Sequence, residues 1–205
     1  ASRKLNMTPA RTMSIAQQLY EGVNVKGEGT VGLVSYIRTD SFRISDEAYE
    51  AAVAFIKETY GDAFVNPERI VYKSKGKTQD AHEAIRPTYI SHDEISGTAQ
   101  EKRLYELIRK RTIACQMADA ELERTTISVG ISGQTERFVA VGEVISFEGF
   151  LQVYMESNDD DTEKEQENGL LPPVKLHETL SLKDIVATER FTQRPPRYTE
   201  ASLVR

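Results

Sequence analysis

The spacing of apolar residues changes once along the chain, close to Ala118. Before that point, apolar residues recur every three to four positions, which gives an α-helix one buried face. After it, apolar and polar residues alternate over several short segments, as they do in strands with one buried face. The pattern therefore predicts the α+β fold class, with a mainly helical first part and a β-rich second part.

Three helices are predicted before residue 118, each from an N-terminal capping signal and an apolar face. The capping signals are Thr8 followed by Pro9, Ser45 followed by Asp46 and Glu47, and Thr98 with Glu101. The expected inward-facing residues are Ile15, Ala16, Leu19 and Tyr20, then Ala48, Ala52, Phe55 and Ile56, then Leu104, Leu107 and Ile108. Gly61 is expected to end the second helix, and the third should end at about Cys115.

Six short strands are predicted from β-branched or alternating sequence. The first, residues 30–36, is expected to place Tyr36 at its C-terminal end. The others are residues 125–131, 137–145, 150–154, 174–177 and 184–191, with turns at Ser132-Gly133 and Glu148-Gly149.

The net charge of −6 is concentrated in the second part of the chain. Residues 1–118 hold 17 Lys and Arg against 15 Asp and Glu, whereas residues 119–205 hold 9 against 17. Seven of those acids lie in residues 156–168, a polar run typical of a solvated loop. The composition allows a basic surface on the first part, but it does not by itself indicate a DNA-binding protein.

Composition also limits the location and the covalent chemistry. No apolar run approaches the roughly 18 residues of a membrane span, and no signal-peptide pattern opens the chain. The single Cys115 excludes an internal disulfide and a multi-cysteine zinc site within this chain. We therefore expect a cytoplasmic location and no membrane partner.

The first group of residues able to carry chemistry is Ser35-Tyr36-Ile37-Arg38-Thr39-Asp40-Ser41. A phenol has an ordinary pKa of about 10 and is a poor nucleophile at neutral pH unless cations favour its ionised form. In extended chain, Arg38 would project to the same side as Tyr36, and its guanidinium can hold two phosphate oxygens. This suits a tyrosine that attacks a phosphodiester. An ordinary strand with a surface arginine has the same spacing, so both interpretations stay open.

The second group lies in residues 80–88, which contain two acids, a histidine and an arginine. If residues 80–86 are helical, His82 and Arg86 share a face and could hold a phosphate, with Asp80 and Glu83 beside them. A helical turn with solvated charges explains the spacing equally well. His92 and His177 have no such neighbours and are expected to be surface or strand residues.

The third group is the tail, where Pro195 and Pro196 enforce an extended approach to a helix capped by Thr199. A helix N-terminus flanked by Arg197 and hydroxyl groups suits a phosphate. A plain capped helix start remains the alternative.

In this order, the segments SYIRTDS, DAHEAIRPT and RFTQRPPRYTEASLV closely resemble the bacterial topoisomerase I branch of the type IA DNA topoisomerase family. The resemblance extends to ASRKLNMTPARTMSIAQQLYEGV before the tyrosine and to LIRKRTIACQM after it. It thus covers nearly the whole chain apart from the acidic run. Ile37 stands where topoisomerase III typically has proline, which favours the topoisomerase I branch, while reverse gyrase stays open on these residues.

The resemblance implies an α+β fragment of a toroidal, multi-domain enzyme. Residues 1–117 would form the domain that carries the active-site tyrosine, mainly helical and related to winged-helix DNA binders. Residues 118–190 would form part of a β-rich arch, and residues 191–205 would begin the base domain. A truncated arch would leave an unpaired sheet edge, which favours association in crystals.

By the same resemblance, Tyr36 would attack single-stranded DNA and leave a 5′-phosphotyrosine and a free 3′-hydroxyl, while Arg38 positions the scissile phosphate. The second strand would then pass before the tyrosine bond is reversed, which relaxes negative supercoils without ATP. The further residues expected to contact DNA or phosphate are Thr39, Asp40, His82, Arg86, Arg197 and Ser202.

The resemblance also implies Mg²⁺ in the whole enzyme, held by a toprim domain. No Asp-x-Asp-x-Asp pattern occurs here, and Asp159, Asp160 and Asp161 are adjacent within the polar run, so no metal site is expected in this chain. Its expected partners are single-stranded DNA and the toprim and base domains of the same protein. Without them, the chain alone is expected neither to cleave nor to relax DNA, and plasmid relaxation by it would refute this.

Two other functions stay open on the residues. One is a module that only binds single-stranded DNA through Arg38, Arg86 and Arg197, and the other is an arch element without phosphate affinity. Tyr36→Phe in the full-length protein separates catalysis from binding alone. With DNA as the partner, the expected cytoplasmic location is the nucleoid.

Overall fold

The structure is a computed structural model that describes residues 1–25, 29–71, 82–155, 171–192, 194–195 and 197–203. The described helices are α1 (Ser2–Leu5), α2 (Pro9–Glu21), α3 (Asp46–Tyr60), α4 (Ala99–Ala114) and α5 (Glu200–Leu203). The described strands are β1 (Val23–Val25), β2 (Gly29–Val31), β3 (Glu121–Gly130) and β4 (Arg137–Phe147), and 3₁₀ turns cover Asp62–Phe64 and Gly149–Gln152. The predicted mixture of helix and sheet is confirmed. Within these described ranges, no helix is long and apolar enough to cross a bilayer.

The three long helices begin where their capping signals predicted. The Thr8 and Ser45 hydroxyls each accept a hydrogen bond at 3.3 Å from a backbone N–H three residues further on. Thr98 and Glu101 form a reciprocal capping box, in which the Glu101 carboxylate accepts from the Thr98 N–H at 2.6 Å. These bonds satisfy N–H groups that a helix start leaves unpaired. Gly61 follows α3, as predicted.

The helices pack around two clusters of buried side chains. The first lies between α2, α4 and the segment after β2, and includes Ile15, Leu19, Leu33, Ile37 and Tyr105. The second joins α3 to the end of α4 through Ile56, Ile113 and Met117. Most predicted inward-facing residues are buried or half-buried, but Tyr20 is 38% exposed, so its assignment to the core was wrong. Its ring lies against the ring of Tyr36 instead.

Tyr105 brings a polar group into the first cluster. Its side chain is 1% exposed, and its hydroxyl donates to the carbonyl oxygen of His92 at 2.8 Å. Burial raises the pKa of Tyr105 to about 12, because the interior disfavours the charged phenolate; the Arg109 guanidinium lowers this pKa and the Asp93 carboxylate raises it by smaller amounts.

This shift predicts a specific dependence of stability on pH. A group whose pKa is raised by folding contributes stability that is complete below its unfolded pKa of about 10 and is lost as pH rises towards 12. Tyr105→Phe should cost about 1 kcal/mol at pH 8, because its hydrogen bond is lost. Above pH 10, urea unfolding should show the difference between the two proteins shrinking. Parallel stability curves up to pH 11.5 would contradict this origin of the shift.

β3 and β4 form an antiparallel hairpin in which Thr126 lies opposite Val141. Both strands occur where alternation predicted them, and Ser132 and Gly133 lie in the connecting turn. Many apolar side chains of the hairpin are exposed, including those of Phe138 and Ile145. A two-stranded sheet buries little surface by itself, so the hairpin depends on its attachment to the helices.

That attachment is made directly after β4, at Gly149. Its φ is +49°, and a Cβ added there would lie 2.6 Å from the carbonyl oxygen of Ala118. The next N–H, of Phe150, donates to the same carbonyl at 2.9 Å. Further on, the ring of Tyr154 packs against the cations of Lys4 and Arg111, at 5.1 and 4.9 Å. The root of the hairpin is thereby fixed to α1 and α4.

Four of the six predicted strands need correction. Residues 30–36 do not form one strand, because β2 ends at Val31; among the described strands it pairs with β1. Residues 150–154 begin in a 3₁₀ turn. Residues 174–177 and 184–191 are not strands within the described range 171–192, where His177 has a φ of +63°. Leu176 is 88% exposed there, since its apolar face has no neighbouring strand to pack on.

Candidate active site

The segment that carries Tyr36 is held between the end of α2 and the chain at residues 84–88. The Leu33 N–H donates to the Leu19 carbonyl at 2.8 Å, which satisfies a carbonyl that the helix end leaves unpaired. On the other side, the Thr88 N–H donates to the Leu33 carbonyl at 2.9 Å, and its hydroxyl donates to the Gly32 carbonyl at 2.7 Å.

Gly32 is required at this point by a close approach of two backbones. A Cβ at Gly32 would lie 2.8 Å from the carbonyl oxygen of Tyr20, which belongs to the last turn of α2. Only glycine therefore lets the segment lie directly against the helix end.

Ser35 makes the next connection to the same neighbouring chain. Its N–H donates to the Arg86 carbonyl at 2.9 Å, and its hydroxyl donates to the Ala84 carbonyl at 2.8 Å. The hydroxyl also accepts from the Arg86 N–H at 2.9 Å. Ser35 therefore joins Tyr36 to the segment that begins with His82.

Tyr36 itself lies at the surface, with 42% of the residue exposed. Its ring contacts Tyr20 edge-on, with centroids 5.4 Å apart, and lies 5.6 Å from the imidazole of His82. Val34 and Ile37 are both buried in the first cluster and anchor the chain on either side. The phenol is thus fixed by its neighbours but open to solvent.

Ile37 and Arg38 lie in a bend rather than in the extended chain that was expected, and Thr39 and Asp40 follow without regular secondary structure. Strand geometry therefore does not place Arg38 on the side of Tyr36, as was predicted, although Arg38 is exposed two residues after Tyr36. No partner for its guanidinium is found among the described residues. The Thr39 hydroxyl accepts from the Ser41 N–H at 3.0 Å, and Asp40 is exposed.

His82 and Arg86 do not share a helix face, because residues 82–86 are not helical; Asp80 lies outside the described residues. The Arg86 guanidinium is instead held within its own segment. Its Nε donates to the Glu83 carboxylate at 2.8 Å, and its Nη1 donates to the Pro87 carbonyl at 3.0 Å. Both side chains of this ion pair are largely buried, so Arg86 stiffens the segment next to His82.

The tail residues are not brought to Tyr36 by any contact of the described side chains. Among the described residues, Ser202 bonds with Thr199, whose hydroxyl accepts from the Ser202 N–H at 3.2 Å. This confirms the predicted helix start, although α5 has only four described residues. Arg197 is exposed.

In the parts of the chain that the structure describes, no three His, Cys, Asp or Glu residues are grouped so as to hold a metal ion. Those described residues therefore do not fit an Mg²⁺ site. Asp159, Asp160 and Asp161 lie outside the described residues.

Sequence reasoning missed two neighbours of Tyr36. Tyr20 was assigned to the core because it follows Leu19 on an apolar face, but it is exposed and its ring contacts that of Tyr36. Ser35 was noted only as part of the tyrosine motif, and its contacts were not predicted, since its partners lie about fifty residues further along the chain.

Comparison with known proteins assigns the chain to a family. A family model described as DNA topoisomerase matches residues 1–205, so the chain belongs to the DNA topoisomerase family.

The relatives narrow the family assignment to the topoisomerase I branch, and they confirm the resemblance to that branch seen in the sequence. The proteins named DNA topoisomerase 1 from Rickettsia bellii and Rickettsia felis are both 44% identical to this chain, over 212 and 210 residues. They match 100% of this chain but 26% and 27% of their own length, so the chain spans about a quarter of these curated relatives. The structure of full-length topoisomerase I from Thermotoga maritima is similar with a TM-score of 0.65 and 35% identity, covering 77% of this chain and 25% of that one.

Proposed function

We propose that this chain is the strand-cleaving part of a type IA topoisomerase I, an ATP-independent isomerase that relaxes negative supercoils. The observation that carries the proposal is the placement of Tyr36. Its phenol is 42% exposed, on a segment that backbone hydrogen bonds fix from two sides, and an imidazole lies 5.6 Å from its ring. A rigid, accessible nucleophile beside a group that can donate to phosphate suits attack on a phosphodiester.

In the proposed reaction, Tyr36 Oη forms a bond to phosphorus of single-stranded DNA, and the bond from phosphorus to the 3′-oxygen breaks. The phenol loses its proton and the leaving 3′-oxygen gains one, which leaves a 5′-phosphotyrosine and a 3′-hydroxyl. After strand passage, the 3′-oxygen attacks phosphorus and releases the tyrosine. No ATP is needed, because the phosphotyrosine retains the energy of the broken bond.

Arg38 and His82 are proposed to bind the phosphate. Arg38 is exposed beside the nucleophile, and a guanidinium stabilises charge that develops on phosphate oxygens. His82 can donate a hydrogen bond from its imidazole. Thr39 and Asp40, which follow the bend at Ile37 and Arg38, are proposed as DNA contacts. Arg86 is proposed to support His82 through its ion pair, in addition to its expected role as a phosphate contact.

Arg197 and Ser202 are proposed to contact DNA in the assembled enzyme. Mg²⁺ would supply electrostatic stabilisation of the cleavage reaction in that enzyme, with ligands in the toprim domain. We also retain the proposed division into a winged-helix-like tyrosine domain at 1–117, an arch at 118–190 and the start of the base domain at 191–205. Single-stranded DNA, the toprim and base domains, and a cytoplasmic, nucleoid-associated location belong to the same proposal.

The decisive experiment is to map the covalent adduct. The full-length enzyme is mixed with a short single-stranded oligonucleotide, denatured rapidly and digested, and the DNA-linked peptide is identified by mass spectrometry. The adduct is expected on Tyr36. An adduct on Tyr20, which is 38% exposed and lies next to it, would show that the nucleophile is misassigned. Binding without any adduct would favour a module that only holds single-stranded DNA.

A further inference from the structure

Ser35 is the residue directly before the proposed nucleophile, and its hydroxyl is fully engaged with the chain that carries His82. It donates to the Ala84 carbonyl at 2.8 Å and accepts from the Arg86 N–H at 2.9 Å. We propose that the Ser35 hydroxyl is a positioning residue that sets the distance and angle between the Tyr36 phenol and the His82 imidazole. This inference rests on the proposed function.

The two rings belong to segments far apart in sequence, so some contact must hold them in register. The ties before Ser35 act further from the rings: Val34 pairs with Pro87, and Thr88 bonds to Gly32 and Leu33. Ser35 is the tie adjacent to Tyr36, and Ala84 is two residues from His82. Of these contacts, the Ser35 hydroxyl therefore fixes the two segments relative to each other at the point closest to the phenol.

The hydroxyl can be removed without removing the backbone pairing. The Ser35 N–H still donates to the Arg86 carbonyl in any substitution except proline. A side chain without the hydroxyl leaves the Arg86 N–H without its acceptor and the Ala84 carbonyl without this donor, so the His82 segment can shift relative to Tyr36. Small displacements of reacting groups lower rates strongly, since near-attack geometry depends on fractions of an ångström.

The test compares Ser35→Thr with Ser35→Val in the full-length enzyme. The two side chains have nearly the same shape, but only threonine keeps the hydroxyl. The Val variant is expected to lower the single-turnover rate of oligonucleotide cleavage by about tenfold to a hundredfold, with little change in oligonucleotide affinity. The Thr variant should recover most of that rate. A Val variant as fast as the Thr variant would overturn the proposal.

Two controls separate positioning from general loss of stability. Thr112→Val removes a buried hydroxyl that bonds to the Ile108 carbonyl within α4, and should lower stability without lowering the cleavage rate. In a His82→Ala background, Ser35→Val should have little further effect, because the contact that it aligns is gone. Additive losses would instead show that Ser35 acts independently of His82, against the proposal.

The same experiments distinguish failure of this inference from failure of the proposed function. If Tyr36→Phe abolishes cleavage while Ser35→Val leaves it unchanged, only the role of Ser35 is wrong. If Tyr36→Phe leaves cleavage intact, the proposed nucleophile is wrong, and the role of Ser35 is wrong with it.

Discussion

Replacing Tyr36 with Phe in the full-length enzyme is expected to abolish relaxation of negatively supercoiled plasmid, by at least about 10⁴-fold. The variant has no oxygen at position 36 to bond to phosphorus. The ring itself remains, so its contacts with Tyr20 and His82 should persist, and the fold with them. Gel assays of relaxation, with single-stranded DNA binding measured in parallel, give the comparison.

Two matched substitutions complete this experiment. Tyr89→Phe removes the hydroxyl from another exposed tyrosine, whose ring lies against His92 rather than near Tyr36, and should relax DNA normally. Tyr20→Phe tests the adjacent phenol directly. If Tyr20→Phe rather than Tyr36→Phe eliminated relaxation, the identity of the nucleophile would have to change. Full activity of Tyr36→Phe would leave the binding-module interpretation as the better one.

Replacing Gly149 with Ala is expected to produce the largest loss of stability. Its φ of +49° disfavours a side chain, and a Cβ would lie 2.6 Å from the Ala118 carbonyl oxygen and closer still to that of Asp119. These are backbone atoms, which cannot move aside as a flexible side chain could. We expect a loss of about 4 kcal/mol from strain and overpacking. The midpoint of thermal unfolding should fall by about 10 °C.

Two other glycines of the hairpin distinguish the cost of a positive φ from the cost of a steric clash at an added Cβ. Gly133 has a φ of +77° in the turn, with no atom within 4 Å of an added Cβ, so Gly133→Ala should cost only about 1 kcal/mol. Gly130 has no positive φ and no atom within 4 Å of an added Cβ, so Gly130→Ala should change the stability very little. Equal losses for Gly149→Ala and Gly133→Ala would mean that close packing at the hairpin root contributes nothing.

The helices could be predicted well because their signals are local. The capping box of Thr98 and Glu101 needs only four consecutive residues, and those residues carry their own partners. The strands predicted at 174–177 and 184–191 do not form, because a strand depends on residues that are distant in sequence. Alternation creates an apolar face, but a strand also needs a neighbouring edge, and Leu176 and Val186 remain exposed without one in the described structure.

At the candidate site too, local signals could be predicted and contacts between distant residues could not. Motif order and resemblance were sufficient to select Tyr36 and His82, which the structure brings together. The expected face shared by His82 and Arg86 required a helix that does not form, and Arg86 bonds to Glu83 and Pro87 instead. The partners of Ser35 could not be predicted, because its hydroxyl gains them only when the chain closes a loop of about fifty residues.

The length of the hairpin also has a geometric consequence, because the hairpin is attached to the helices at one end, at the turn that contains Gly149. β3 has 10 residues, and at about 3.4 Å per residue the hairpin is about 34 Å long. A rotation of about 10° at that turn therefore sweeps the far tip through about 6 Å by simple trigonometry of that length. A small change of angle at this attachment would therefore be amplified at the distant end of the hairpin.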